Sequence, residues 1–197
     1  MTTITIVTIC AVALLIFWAV GAYNRLIRLK NTIANAFGQI DVQLKRRYDL
    51  VPNLVEAAKK YLSHEKETLE AVTAARNQAK SASDAARAKP TSALAVSTLA
   101  VAEQALSSSL GQLFALNEAY PDLKGDKTIQ ALSEELTSTE NKVTFARQAF
   151  NDAVLDYNNA QGQFPALLIA KLFSLSPSAM LQATQSAEER STIRIAL

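Results

Sequence analysis

ITIVTICAVALLIFWAVGAYNRLIRLKNTIANAFGQIDVQLKRRY, residues 4–48, joins two kinds of helix with no proline between them. Its first part, residues 4–20, is apolar except for Thr5, Thr8 and Cys10. Extended to Ala22, it reaches the ~20 residues that a helix needs to cross about 30 Å of hydrocarbon. No charge or strongly polar face interrupts it, as the outer side of a soluble core helix would. Phe17, Trp18 and Tyr23 gather at its C-terminal end, where aromatic rings favour the headgroup layer. Two other readings are weaker. Ala19-Val20-Gly21 loosely matches a signal-peptide cleavage site, but Met1-Thr2-Thr3 lacks the positive charge with which such peptides begin. A lipoprotein signal needs a small residue before its cysteine, and Ile9 precedes Cys10. Arg25, Arg28 and Lys30 follow the span and no charged side chain precedes it. The positive-inside rule then places the body of the chain in the cytoplasm and the N-terminus outside.

The second part changes period. Leu26, Leu29, Ile33, Phe37, Ile40 and Leu44 recur at three and four, one face of a helix. If unbroken, the two parts form one rod of about 65 Å. A boundary is expected at Asp49-Leu50-Val51-Pro52. Asp49 suits an N-cap and Pro52 a first turn, whereas in mid-helix the same proline meets the carbonyl of Tyr48 and bends the rod. A second helix is expected over residues 50–87, striped by Val51, Leu54, Ala58, Leu62, Leu69, Val72 and Ala79, and ended by Lys89-Pro90-Thr91. A third follows over residues 92–119 with Leu99, Leu106, Leu110 and Leu113. After a turn at residues 120–125, a fourth runs from its N-cap Asp126 to Gln161, with Ile129, Leu136, Val143, Phe150 and Tyr157 on one face and Gly162 as its stop.

Short connections make sequential helices antiparallel neighbours. The expected fold class is therefore all-α. A transmembrane helix (residues 1–22) continues into an elongated up-and-down four-helix bundle (23–162), followed by a short apolar helix (163–175) and a C-terminal tail (176–197). Counting directions, the fourth helix returns towards the membrane, so ALLIAKLFSL, residues 166–175, ends near it. That segment is expected to cap the open end of the bundle; lying in the lipid interface is the alternative. The polar tail orders only if it has something to pack on, and a neighbouring copy in a closed cyclic homo-oligomer is the expected partner. Ile193 and Ile195 alternate with Thr192 and Arg194, a strand-like pattern suited to pairing with another chain.

Composition narrows the function. The 197 residues are 49% hydrophobic and 7% aromatic, with a net charge of +2 that gives no nucleic-acid footprint. The single cysteine allows no internal disulfide. His64-Glu65 begins a zinc-protease pattern, but Thr68 stands where the second histidine is needed, and His64 is the only histidine. The paired Glu-x-x-His of a di-iron bundle and the base of an acyl-transfer triad fail for the same reason. The glycines are isolated and make no phosphate loop. Glu134-Glu135 and Glu188-Glu189 read as solvated faces, because adjacent helical residues point apart. No catalytic, cofactor-binding or metal-ligating residue is expected.

Two basic clusters remain. Arg25, Arg28 and Lys30 are placed to meet lipid phosphates. Lys45, Arg46 and Arg47 lie about 35 Å along the first helix from the membrane, too far for that. Ion pairing inside the bundle, with Glu103 or Glu140, is expected for this triplet, and contact with a partner protein is the alternative.

YNRLIRLKNTIANAFGQIDVQLKRRYDLVPNLVEAAKKYLSHEKETLEAVTAAR, residues 23–76, resembles the LemA family. NEAYPDLKGD (117–126), ENKVTFARQAFNDAVLDYNN (140–159) and FPALLIAKLF (164–173) are similar to its remaining signatures, in order. The resemblance covers residues 21–173 and leaves the tail unmatched. It implies an N-terminal anchor with the N-terminus outside, an up-and-down four-helix bundle and a bacterial inner-membrane location. It brings no enzymatic activity. Relatives similar to magnetosome-membrane proteins, or encoded beside membrane metalloproteases, imply membrane organisation or an accessory role. Two functions are thus expected to compete: a non-enzymatic, self-associating membrane scaffold, and an adaptor or regulator of a membrane enzyme such as a metalloprotease.

Overall fold

A computed structural model describes residues 2–62 and 64–181. These form six helices: α1 (Thr3–Lys59), α2 (Lys66–Ala88), α3 (Ala93–Ala119), α4 (Pro121–Lys124), α5 (Lys127–Gly162) and α6 (Ala166–Leu172). The fold is all-α, with α1, α2, α3 and α5 as an elongated up-and-down bundle and no strand among the described residues.

At 57 residues α1 is about 85 Å long. Its N-terminal third stands clear of everything else. Residues 2–18 are all exposed, including Ile4 (77%), Leu14 (74%) and Phe17 (84%). This part is long and apolar enough to cross a membrane. From Leu26 the same helix becomes the spine of the bundle, burying Ile33, Phe37, Ile40, Leu44, Leu54 and Ala58. Its main neighbour is α5, on which Phe37 meets Phe150 edge-on at 5.9 Å between ring centroids. Helix α3 also passes the length and composition test for a span, but Val96, Leu99, Leu106 and Leu110 are spent on the bundle core.

The boundary expected at residues 49–52 is not there. Helix α1 runs straight through Pro52, and the chain reverses at residues 60–65 instead. The second helix therefore starts at Lys66, and Asp49 caps nothing. The physical reason is on the neighbouring helix. Pro52 has no amide hydrogen to give the carbonyl of Tyr48, and Arg76 Nε of α2 donates to that oxygen at 2.9 Å. The missing intrahelical bond is replaced from outside, so the helix continues.

The other ends follow local chemistry. Ser92 accepts from the Ala95 amide at the start of α3, and the Asp126 carboxylate accepts from Thr128 and Ile129 at the start of α5. The far end of the bundle is tied across its loops, by Tyr61 Oη to Asp126 Oδ2 at 2.8 Å and by Tyr120 Oη to Glu65 Oε1 at 3.3 Å. Buried Leu123 plugs this end from α4.

At the near end, α6 folds back on the base of α1. Ile169 and Ala170 are buried with Leu26 and Ala160 and pack on Ala19, Ala22 and Tyr23. This inner side closes the end of the bundle, while Leu168 and Leu172 stay exposed. Ser174 then takes a left-handed conformation (φ 52°), and the Leu175 amide reaches back to the Ala170 carbonyl at 2.9 Å. That turn sends the chain back along α5. The strand-like pattern at Ile193 and Ile195 lies outside the described residues.

Candidate functional site

Among the four long helices, α3 and α5 form the loosest seam, since α3 packs chiefly on α2 and α5 chiefly on α1. Polar side chains bridge the gap. Arg47 projects from the apolar stripe of α1 and is 4% exposed. Its Nη1 lies 2.7 Å from Glu103 Oε2 on α3 and 2.8 Å from Glu140 Oε2 on α5, while Nη2 donates to Ser107 at 2.9 Å. The Glu140 oxygen is near enough to pair but off the N–H direction, so it makes no hydrogen bond. Tyr48, the next residue of α1, donates to Glu103 Oε1 at 2.5 Å and lies 3.2 Å from the carbonyl of Ala79 on α2. All four bundle helices thus meet at one layer.

Burial sets the electrostatics of that layer. Desolvation pushes the Glu103 carboxyl above its usual range, against the pull of the Arg47 guanidinium and the Tyr48 hydroxyl. The Tyr48 phenol is pushed far up by burial and by the Glu103 carboxylate, and stays protonated. Glu103 therefore sits between two donors.

The expected triplet divides. Arg47 enters the core, Arg46 pairs with Glu135 of α5 on the surface, and Lys45 is exposed with no ion pair among the described residues. On the α1–α2 side, Asp41 receives Ser83 at 3.3 Å and Arg87 at 3.5 Å. Arg25 and Arg28 are exposed and Lys30 half-buried just beyond the apolar span, and none is ion-paired among the described residues. His64 is exposed in the α1–α2 loop. Among the described residues no group of His, Cys, Asp and Glu is placed to hold a metal.

Small cavities flank the charged layer. One of about 110 Å³ is lined by Arg47, Glu103, Gln104, Arg147 and Leu181, and one of about 320 Å³ by Ser107, Gly111, Phe114 and Asn141. A broader groove of about 900 Å³ runs between α1 and α5 on the outside, past Gln39, Gln43, Asn141 and Phe145. Phe145 is 76% exposed.

The start of the tail, residues 175–181, is strapped to α5 of its own chain. Gln161 donates to the Leu175 carbonyl and Tyr157 to that of Ser176 at 3.1 Å. Asn158 holds both the amide and the carbonyl of Ser178 at 2.9 Å. Asn151 holds the amide of Leu181 at 2.8 Å and its carbonyl at 3.2 Å. The spacings match. Asn151 and Asn158 lie about 10.5 Å apart along a helix, and three extended residues cover about 10 Å. Leu181, 5% exposed, ends this strap in the smaller cavity beside Arg47. For these residues the packing partner is α5 of the same chain rather than the neighbouring copy expected. The only trace in the sequence is two asparagines seven apart on the apolar side of α5.

The pattern of the LemA family matches residues 36–196. It begins beyond the apolar span and reaches through the tail, which the resemblance in residues 21–173 left out. A curated relative, Protein LemA of Metamycoplasma hominis, is 25% identical over 177 residues, 90% of this chain and 76% of that protein. With the family pattern covering most of its length on an all-helical fold, the chain belongs to the LemA family.

Proposed function

We propose that this protein is a non-enzymatic scaffold held in a bacterial inner membrane by residues 1–22, with its N-terminus outside and its bundle in the cytoplasm. It self-associates and organises the bilayer or other membrane proteins. The observation that carries the reading is the continuity of α1, which leaves an exposed apolar segment and enters the bundle core without a break. Such a helix joins the bundle to its anchor with no hinge between them, so the two move as one body, which is what a scaffold requires. The cations Arg25, Arg28 and Lys30 at the exit of the span, without an ion pair among the described residues, support the orientation and suit anionic headgroups. In the Arg47 layer hydrogen bonds join α1 to α2 and α3, and an ion pair to Glu140 adds α5, an arrangement that ties the four helices together.

One feature favours the adaptor reading. The α1–α5 groove with exposed Phe145 fits a partner helix better than a flat assembly face does. Particle mass after gentle detergent extraction separates the two. A homogeneous assembly of many copies is expected. A single copy bound to one stoichiometric membrane enzyme contradicts the scaffold and supports the adaptor.

A further inference from the structure

We infer that the outer face of α6 and its flanks, formed by Phe164, Leu168, Leu172 and Phe173, docks on the lipid surface of the leaflet from which α1 emerges. The inference rests on the reading of residues 1–22 as a membrane anchor and adds a second, peripheral contact.

Four observations converge on it. The first is height. The inner face of α6 packs on Ala19, Ala22, Tyr23 and Leu26, the residues at which the apolar run gives way to the first charges, and the Phe173 ring lies tilted at 47° against Tyr23 with centroids 4.5 Å apart. Whatever depth Tyr23 occupies, α6 shares it. The second is chemistry. Phe164 (80%), Leu168 (57%), Leu172 (74%) and Phe173 (52%) are exposed, although Ile169 and Ala170 between them are buried. Leu168 and Leu172 are one turn apart and lie on one face. Among the described residues nothing covers this face.

The third is continuity. The patch adjoins Trp18 on α1, exposed at 40%, so the apolar surface of the span widens into α6 at the headgroup level. A cleft of about 330 Å³ opens where they meet, walled by Trp18, Phe164 and Pro165 with Arg25 beside them. Apolar walls beside a cation match a phospholipid, with acyl carbons against the rings and a phosphate near the guanidinium. The fourth is charge. Lys171, the sole charge on α6, is exposed next to the patch, where its long stem lets the ammonium reach the headgroups.

Docking has a mechanical consequence. A single span can tilt and rotate, and a second contact beside it fixes both, so the bundle keeps one azimuth on the membrane.

The test uses the full chain with Cys10→Ser and one nitroxide at a time on Leu168→Cys or Leu172→Cys, both exposed positions. Leu14→Cys serves as the hydrocarbon reference and Lys80→Cys, exposed on α2, as the aqueous one. The protein is reconstituted in vesicles of phosphatidylcholine and phosphatidylglycerol, and circular dichroism checks that helix content is unchanged. Accessibility to oxygen is compared with accessibility to a water-soluble nickel chelate. Labels at 168 and 172 are expected to favour oxygen several-fold over the Lys80 reference, at a depth between the two references. If they behave like Lys80 while Leu14 reads as hydrocarbon, the docking is wrong and the anchor stands. If Leu14 also reads as aqueous, the anchor fails and the docking with it. Shielding from both reagents with spin–spin broadening means that a second copy covers the face, which overturns lipid docking.

Discussion

Pro52 deprives the Tyr48 carbonyl of its helical donor, and Arg76 supplies another. Tyr48 is only 3% exposed, so water cannot take that role. Arg76→Met should cost about 1–3 kcal/mol, the penalty of a buried acceptor left alone. In a Pro52→Ala background the alanine amide restores the bond, and the same Arg76→Met should cost much less. Thermal unfolding of the four proteins measures the coupling, and equal costs in both backgrounds would refute the exchange of donors. Arg47 obeys a related rule. It follows Leu44 by three on the apolar stripe, so its charge needs acids on facing helices, and Glu103 and Glu140 stand beside stripe positions Leu106 and Leu136. Arg47→Met strands Glu103 in the interior and should cost about 3–5 kcal/mol. The pH response has a definite sign. The folded-state pKa of Glu103 is raised above 4.5, so its contribution to stability is fully present below that value and is lost as pH rises through the folded value. Glu103→Gln should flatten that fall, as denaturant midpoints measured between about pH 4 and pH 8 will show.

At the scale of elements, the apolar stripes place the core. Leu106 is fully buried on α3 and Leu136 is 4% exposed on α5. Each change to alanine should cost about 2–5 kcal/mol. Gly111, inside α3, has nothing within 4 Å of where a Cβ would stand. Gly111→Ala should therefore stabilise by about 0.5–1 kcal/mol through backbone entropy alone, visible as a raised melting temperature. Helix type and the bounds of α3 and α5 were legible because period and caps are local signals. Asp126 and Ser92 mark their helix starts as their side chains predict. The α1–α2 boundary was not legible. A proline announces a break unless a donor arrives from elsewhere, and Arg76 lies 24 positions on, in another helix. The turn actually used, at residues 60–65, holds no glycine or proline. The strap on α5 was hidden for a similar reason. Side-chain amides bonding an irregular backbone follow no sequence period, and Asn151 and Asn158 look like ordinary polar residues of a helix.

At the scale of the molecule, a helix of about 85 Å carries the account. It links an exposed apolar segment to a core held together by α5, a buried charged layer and a strap, and α6 steadies its base. A bundle hung on a flexible linker would sample many orientations and could set no fixed geometry for its neighbours. Rigidity through residues 19–25, where the span ends and the bundle starts, is therefore the central claim. Two nitroxides on α1, at Leu14→Cys and Val42→Cys in the Cys10→Ser chain, report on it directly, since both positions are exposed (74% and 61%) and they flank the junction. Pulsed dipolar spectroscopy in lipid nanodiscs, with labelled protein diluted by unlabelled protein, should give one narrow distance near 42 Å, the rise of an unbroken helix between them. A broad distribution, or one centred well below that length, would show a hinge at the membrane exit and contradict the account.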